Sequence, residues 1–271
     1  MERALSNPPR DGVTAVKFSS DGGNLLVSSW DSLLRLYDVR SDVVRMQLLQ
    51  PCPLLDCDLL SDGQNATSAG MDGAVRLHGV FSGGEKVLGL HKGAVRCVRS
   101  CADVNLIVSG SWDRNLKLWD MRSHQPCVGT HTQPDKILSM CTGSKGTLSA
   151  SQGIPRLVVA TASRRVVVID LRKAGEPLQH RESSLKSQTR CVSQMPDGRG
   201  FVQGSVEGRV AVDFFDPAEE VRRSEIPSLL DGAVDTVSHG LIYRAHRRCR
   251  RGSSHSSAIV ALSTAWRHPS L

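Results

Sequence analysis

The sequence predicts an all-β chain folded as a β-propeller with about five recognisable blades. Three observations carry that expectation. A unit of two small residues, a turn and a strand alternating at period two recurs five times. Its copies are SSWDSLLRLYDV (28–39), SAGMDGAVRLHGV (68–80), SGSWDRNLKLWDM (109–121), TASRRVVVIDL (161–171) and GSVEGRVAVDFF (204–215). The aligned turn residues Asp31, Asp72, Asp113, Ser163 and Glu207 lie 41, 41, 50 and 44 residues apart, close to the period of about 40–45 for four-stranded blades. No long apolar pattern of period 3.6 precedes residue 218.

Blade one (8–50) reads as strands GVTAVKFSS, NLLVSSW, LLRLYDV and VVRMQLL, separated by SDGG, DS and RSD. The strands are rich in Val and Leu and the separators in Asp, Gly and Ser, the turn-forming residues. Blade two (51–91) repeats the pattern around AGMDG. Blade three (92–132) runs AVRCVRS, LIVSGSW, NLKLWDM and CVGTHT. Blade four (133–181) is longer, and GSKGTLSASQGIP (143–155) reads as an enlarged loop. Blade five (182–217) offers TRCVSQM, FVQGSV and RVAVDFF, with no convincing fourth strand. One blade cannot bury both faces, so stacking between neighbours has to supply the core. Asp113 in the turn of blade three needs a donor if it is buried. His91, in the loop before that blade, is placed to be its structural hydrogen-bond partner. Asp31 and Asp72 have no equally placed His, so blades one and two read as degenerate.

The repeat stops at residue 217. The propeller domain is therefore expected to span 1–217, followed by a divergent, mostly disordered basic tail over 218–271. The tail holds five Arg in eight residues, Arg244, Arg247, Arg248, Arg250 and Arg251, and net charge over the whole chain is +7. No aromatic ladder accompanies the Arg cluster, which argues against direct nucleic-acid binding. No stretch approaches about 18 consecutive apolar residues, so no transmembrane helix is expected and a membrane is not among the partners. The eight cysteines contain no C-x-x-C pair, which argues against zinc and for free thiols. Nucleophile elbows, H-E-x-x-H and Walker A motifs are absent from the sequence, and no enzyme or cofactor is expected.

The runs RRVVVIDLRKAGEPLQHRESSLKSQTRCV, GSVEGRVAVDFFDP, LLVSSWDSLLRLYDV, HKGAVRCV, VSGSWDRNLKLWD and TQPDKILSM resemble the Bub family of mitotic-checkpoint WD-repeat proteins over residues 8 to about 217. The resemblance implies a WD-repeat β-propeller of seven blades and a non-catalytic adaptor of the spindle assembly checkpoint. It implies binding of the acidic GLEBS motif of Bub-type checkpoint kinases and of phosphorylated Met-Glu-Leu-Thr repeats of a kinetochore scaffold, with action in the nucleus, at mitotic kinetochores and in the cytoplasm. Matched residue by residue, Trp30, Trp112 and Arg190 would bind the GLEBS peptide and Arg209 the phosphopeptide. The chain departs from the family at Ser187, where a Tyr is usual, at QPCPL, where a His-Gly element is usual, and in its final two blades and basic Cys-His-Arg segment. An incomplete ring with an irregular tail, from a truncated or alternative form, is the resulting expectation. The alternative reading is an mRNA-export propeller that binds a nucleoporin GLEBS motif and nucleic acid.

Overall fold

The computed structural model describes residues 5–143, 155–173, 176–195 and 197–216. The tail and its Arg cluster lie outside the described residues, as does nearly all of the loop expected at 143–155. Among the described residues nineteen strands form five antiparallel sheets. Blade one holds β1 (Val13–Phe18), β2 (Asn24–Ser29), β3 (Leu33–Asp38) and β4 (Val43–Leu49). Blade two holds β5 (Leu54–Leu59), β6 (Asn65–Gly70), β7 (Ala74–Gly79) and β8 (Glu85–Leu90). Blade three holds β9 (Val95–Cys101), β10 (Leu106–Ser111), β11 (Asn115–Asp120) and β12 (Cys127–Thr132). Blade four holds β13 (Ile137–Thr142), β14 (Arg156–Thr161), β15 (Arg165–Asp170) and β16 (Glu176–Glu182). Blade five shows three strands among the described residues, β17 (Thr189–Gln194), β18 (Gly200–Ser205) and β19 (Val210–Phe214). The one helical element among the described residues is a 3-10 turn at Leu171–Lys173.

The inner strands pack in series, β1 on β5, β5 on β9, β9 on β13 and β13 on β17, as blades around an axis must. Period-two alternation sends each strand's residues to two neighbours. Leu116 and Leu118 of β11 join Val167 and Ile169 of blade four. Trp119, one residue on, joins Ala69, Val75 and Leu88 of blade two. Blade five is held by Phe201 and Phe215 against Val158, Val166 and Val168. The ends of the series differ. On blade one, Leu25, Val27 and Tyr37 are buried together with Leu5, Val13 and Val16, and the Tyr37 hydroxyl donates to the Asn7 carbonyl at 2.9 Å. The segment before β1 therefore covers part of that face, although Phe18 stays 47% exposed. On blade five Val210 is 46% exposed.

As expected, neither Asp31 nor Asp72 is met by a His among the described residues; an Arg of the same blade takes that place. Arg35 and Arg76, four residues on and inside the third strand of the same blade, each hold the carboxylate through two guanidinium nitrogens. Burial alone would raise the Asp31 carboxyl, but Arg35 and the N–H groups of Arg10 and Leu33 hold it at about 2. Blades one and two thus close the turn within one sheet, whereas blade three recruits His91 from the preceding loop. Lys117 stands in blade three where Arg35 and Arg76 stand, and it turns instead to the Leu90 carbonyl at 2.7 Å.

Seven described cysteines are free thiols, five of them buried. Burial pushes Cys57 and Cys141 up to about 12 and Cys97 to about 11, so these groups stay protonated and unreactive.

Buried histidines give the fold an acid sensitivity. His78 occupies in blade two the position of Trp119, with Nε2 2.8 Å from Ser68 Oγ, and burial lowers it to about 4 despite the nearby Glu85. Burial also lowers His91, against the attraction of Asp113. A histidine whose folded pKa is depressed takes up its proton first in the unfolded chain. Stability is therefore complete above about pH 6.5 and declines as pH falls towards the folded values. For His78 the loss reaches on the order of 3 kcal/mol by about pH 4. Urea midpoints between pH 7 and 4.5 should fall steadily, and His78→Gln should flatten the slope. A parent midpoint constant across that window would contradict this account.

Candidate peptide-binding face

One end of the five sheets carries the turns between second and third strands together with the entries to the inner strands. The same backbone bond ties each turn to its neighbouring entry: Trp30 N to Gly12 O, Met71 N to Pro53 O, Trp112 N to Ala94 O, Ala162 N to Lys136 O and Val206 N to Gln188 O. The turn tips of blades one to three are thus Trp30, Met71 and Trp112. Trp30 is half-buried and Trp112 is 38% exposed. Both tryptophans therefore lie at the same end of the molecule.

The inner strands add a second ring. Each has a bulge one residue after its start, at Thr14, Leu55, Arg96, Leu138 and Arg190. A bulge frees one residue from the ladder and re-aims its side chain. Arg96 and Arg190 occupy matching bulges in blades three and five, on either side of Leu138. Arg96 donates to the Leu55 carbonyl at 3.3 Å. Partial desolvation, followed by the like charge of Arg96, lowers the pKa of Arg190. Two guanidinium groups therefore sit within electrostatic reach of each other, and neither has an ion-pair partner among the described residues. Arg96 is a residue that sequence reasoning missed. Its signal was present in the parallel between AVRCV (94–98) and QTRCV (188–192).

Arg209 also lies at this end, as the last residue of the turn before β19. It is exposed, and its Nε is 3.9 Å from Glu207, too loose a contact to hold the side chain. The structure thus brings Trp30, Trp112, Arg190 and Arg209 to one end, and places Arg209 in the hairpin turn rather than at a bulge.

His91 and Asp113 are placed differently, inside the blade. His91 Nδ1 is 3.3 Å from Asp113 Oδ2, His91 Nε2 is 2.7 Å from Ser109 Oγ, and Trp119 Nε1 donates to the same hydroxyl at 2.8 Å. The Asp113 carboxylate can only accept, so the neutral imidazole carries its proton on Nδ1 and donates it there; Nε2 then accepts from the Ser109 hydroxyl, whose oxygen accepts from the indole. Burial raises the Asp113 carboxyl, but the N–H groups of Asn115 and Lys92, and then His91, hold it below its ordinary value. Every donor in this chain is used within the blade, which is a structural arrangement.

The family model for the WD domain, G-beta repeat, matches residues 3–38 and 85–120; the first match ends with β3 of blade one, and the second runs from β8, the last strand of blade two, to the end of β11 in blade three. Mitotic checkpoint protein BUB3.1 of Arabidopsis thaliana is 43% identical over 221 residues, 80% of this chain and 62% of that protein. Mitotic checkpoint protein bub3 of Dictyostelium discoideum is 35% identical over 237 residues, 86% of this chain and 69% of that protein. The Poly(A)+ RNA export protein of Schizosaccharomyces pombe is 31% identical over 219 residues, 78% of this chain and 59% of that protein. The chain thus spans about three fifths to two thirds of the length of these relatives. With WD repeats, antiparallel blades and relatives of this kind, the chain belongs to the Bub3 family of mitotic checkpoint WD-repeat proteins.

Proposed function

We propose that this chain is a non-catalytic adaptor of the mitotic checkpoint whose turn-bearing face holds acidic peptides. The specific ligands are GLEBS motifs of Bub-type kinases and phosphorylated Met-Glu-Leu-Thr repeats of a kinetochore scaffold, engaged in the nucleus and at mitotic kinetochores. The observation that carries this reading is the pair Arg96 and Arg190, two guanidinium groups without a carboxylate, beside apolar turn tips. A planar guanidinium fork matches a carboxylate, and two of them sharing a site gain most from an incoming anion. Trp30 and Trp112 supply large amphipathic anchors that bury apolar peptide side chains. Arg209, in the β18–β19 turn of the same blade as Arg190 and loosely tethered, is suited to a phosphate carrying about −1.5 to −2 charges. The proposed domain responsible is residues 1–217.

Arg190→Glu should abolish binding of a kinase-derived GLEBS peptide, a loss of more than tenfold, because it sets like charge against the peptide carboxylates. Arg209→Glu should selectively weaken the phosphorylated Met-Glu-Leu-Thr peptide. Titration calorimetry with both peptides decides the matter, and equal losses from either variant would refute the separation of roles. Preference for a nucleoporin-derived GLEBS peptide would instead favour the RNA-export reading, which the Schizosaccharomyces pombe relative supports.

A further inference from the structure

The hairpin between β15 and β16 carries a cleft of about 310 Å³, lined by Ser163, Arg165, His180, Arg181 and Glu182. That volume lies at the lower end for small-ligand sites. Strand register explains which groups enter it. Arg165 pairs across from Glu182 and Val167 from His180, and directly opposed residues share a face. This face is the one on which Val167 packs towards Leu116 and Leu118 of blade three. Arg181 points the other way, and its guanidinium is committed to the carbonyls of Phe214 and Phe215.

Blade three shows what this cross-strand position looks like when it is self-sufficient. There Thr132 Oγ1 donates to Asn115 Oδ1 at 2.9 Å. In blade four Arg165 stands at the Asn115 position and Glu182 at the Thr132 position, but the Glu182 carboxylate is taken by the neighbouring Arg164 at 2.5 Å. Arg164 is anchored further by its bond to the Lys186 carbonyl at 2.9 Å. Arg165 is left with no side-chain partner among the described residues, and so is the ring of His180. The one acidic lining residue is already neutralised. Ladder register also makes Arg165 the counterpart of Arg209. Val166 pairs with Ala160 as Val210 pairs with Gly204, so each Arg immediately precedes the equivalent strand position.

We propose that this cleft binds a phosphate group, with Arg165 as the bidentate donor and with His180 and the Ser163 hydroxyl completing the site. A guanidinium fork matches two phosphate oxygens, and the ring N–H and the hydroxyl can meet a third. A phosphorylated side chain and free inorganic phosphate offer these same oxygens. The cleft lies on the outer strands of blade four, at the same turn-bearing end, and uses neither Arg96 nor Arg190, so it goes beyond the adaptor reading and stands without it.

The test is a titration of the full chain with inorganic phosphate, read on the imidazole resonances of His180, which His180→Gln identifies by their loss. A saturable shift is expected. Arg165→Gln should weaken it at least tenfold with an unchanged melting temperature, Arg165→Lys should retain part of it, and Arg209→Gln should leave it intact. A parallel titration with a phosphothreonine peptide distinguishes the sources: tighter binding of the peptide assigns a phosphorylated partner, and equal or weaker binding assigns the free anion. A shift that does not saturate, that survives Arg165→Gln, or that disappears in Arg209→Gln overturns the proposal.

Discussion

Asp56→Ala should lower the stability of the chain by about 3–5 kcal/mol, the usual cost of breaking a buried ion pair from one side. Asp56 sits on β5 and is only 4% exposed. Its carboxylate accepts the Val98 N–H at 3.0 Å and the Arg99 guanidinium at 2.5 Å, both from β9. Arg99 reaches on to the Met140 carbonyl of β13 at 3.0 Å, so one side chain pair joins blades two, three and four near the axis. Removing the carboxylate strands a guanidinium whose side chain is 17% exposed and orphans a buried N–H. Urea denaturation measures the effect as a lower midpoint. The double variant Asp56→Leu with Arg99→Met should be clearly more stable than Asp56→Ala, since no unpaired charge remains. An Asp56→Ala midpoint equal to the parent's would show that the pair contributes nothing.

Trp119→Ala should cost a similar amount, about 3–5 kcal/mol for emptying a large aromatic site. Trp119 is 1% exposed and packs with Leu88, Val95 and Ile107. Its ring lies where a β-carbon on Gly89 would have to go, at 2.5 Å from that position, so β8 must carry glycine there for blades two and three to meet. The indole also anchors the hydroxyl of Ser109 that His91 uses. Trp119→Phe separates the two contributions, because it restores most of the volume without the N–H donor. It should cost about 1 kcal/mol, the worth of one hydrogen bond. If the Phe variant proved as unstable as the Ala variant, the hydrogen-bond chain rather than packing would dominate.

The candidate face was partly legible before the structure. Trp30 and Trp112 precede the turn Asp in two copies of the repeat, and that position alone sends them to the same end of their sheets. Arg190 was legible through family resemblance alone, because an Arg beside an inner strand looks like any surface charge. What made it a site was Arg96, from a strand more than ninety residues earlier in the chain. The turn carboxylates teach the same point on a shorter scale. Asp31 with Arg35, and Asp72 with Arg76, were visible as an i, i+4 spacing. In a helix that spacing would mean neighbours, whereas across a hairpin turn the contact depends on how the third strand leaves the turn.

By itself the sequence determined the blades: their number among the described residues, the turn positions and the propeller class. Each of these depends on period-two alternation and on turn residues within a few positions of one another, and both are local. Only the tertiary structure decided which charges converge. Matching bulges bring Arg96 and Arg190 within electrostatic reach on either side of Leu138, Arg99 finds Asp56 on the neighbouring blade, and Arg164 draws Glu182 away from Arg165. The first two join strands distant in the chain, and they exist because stacking the blades brings side chains into range and removes the water that would otherwise satisfy them.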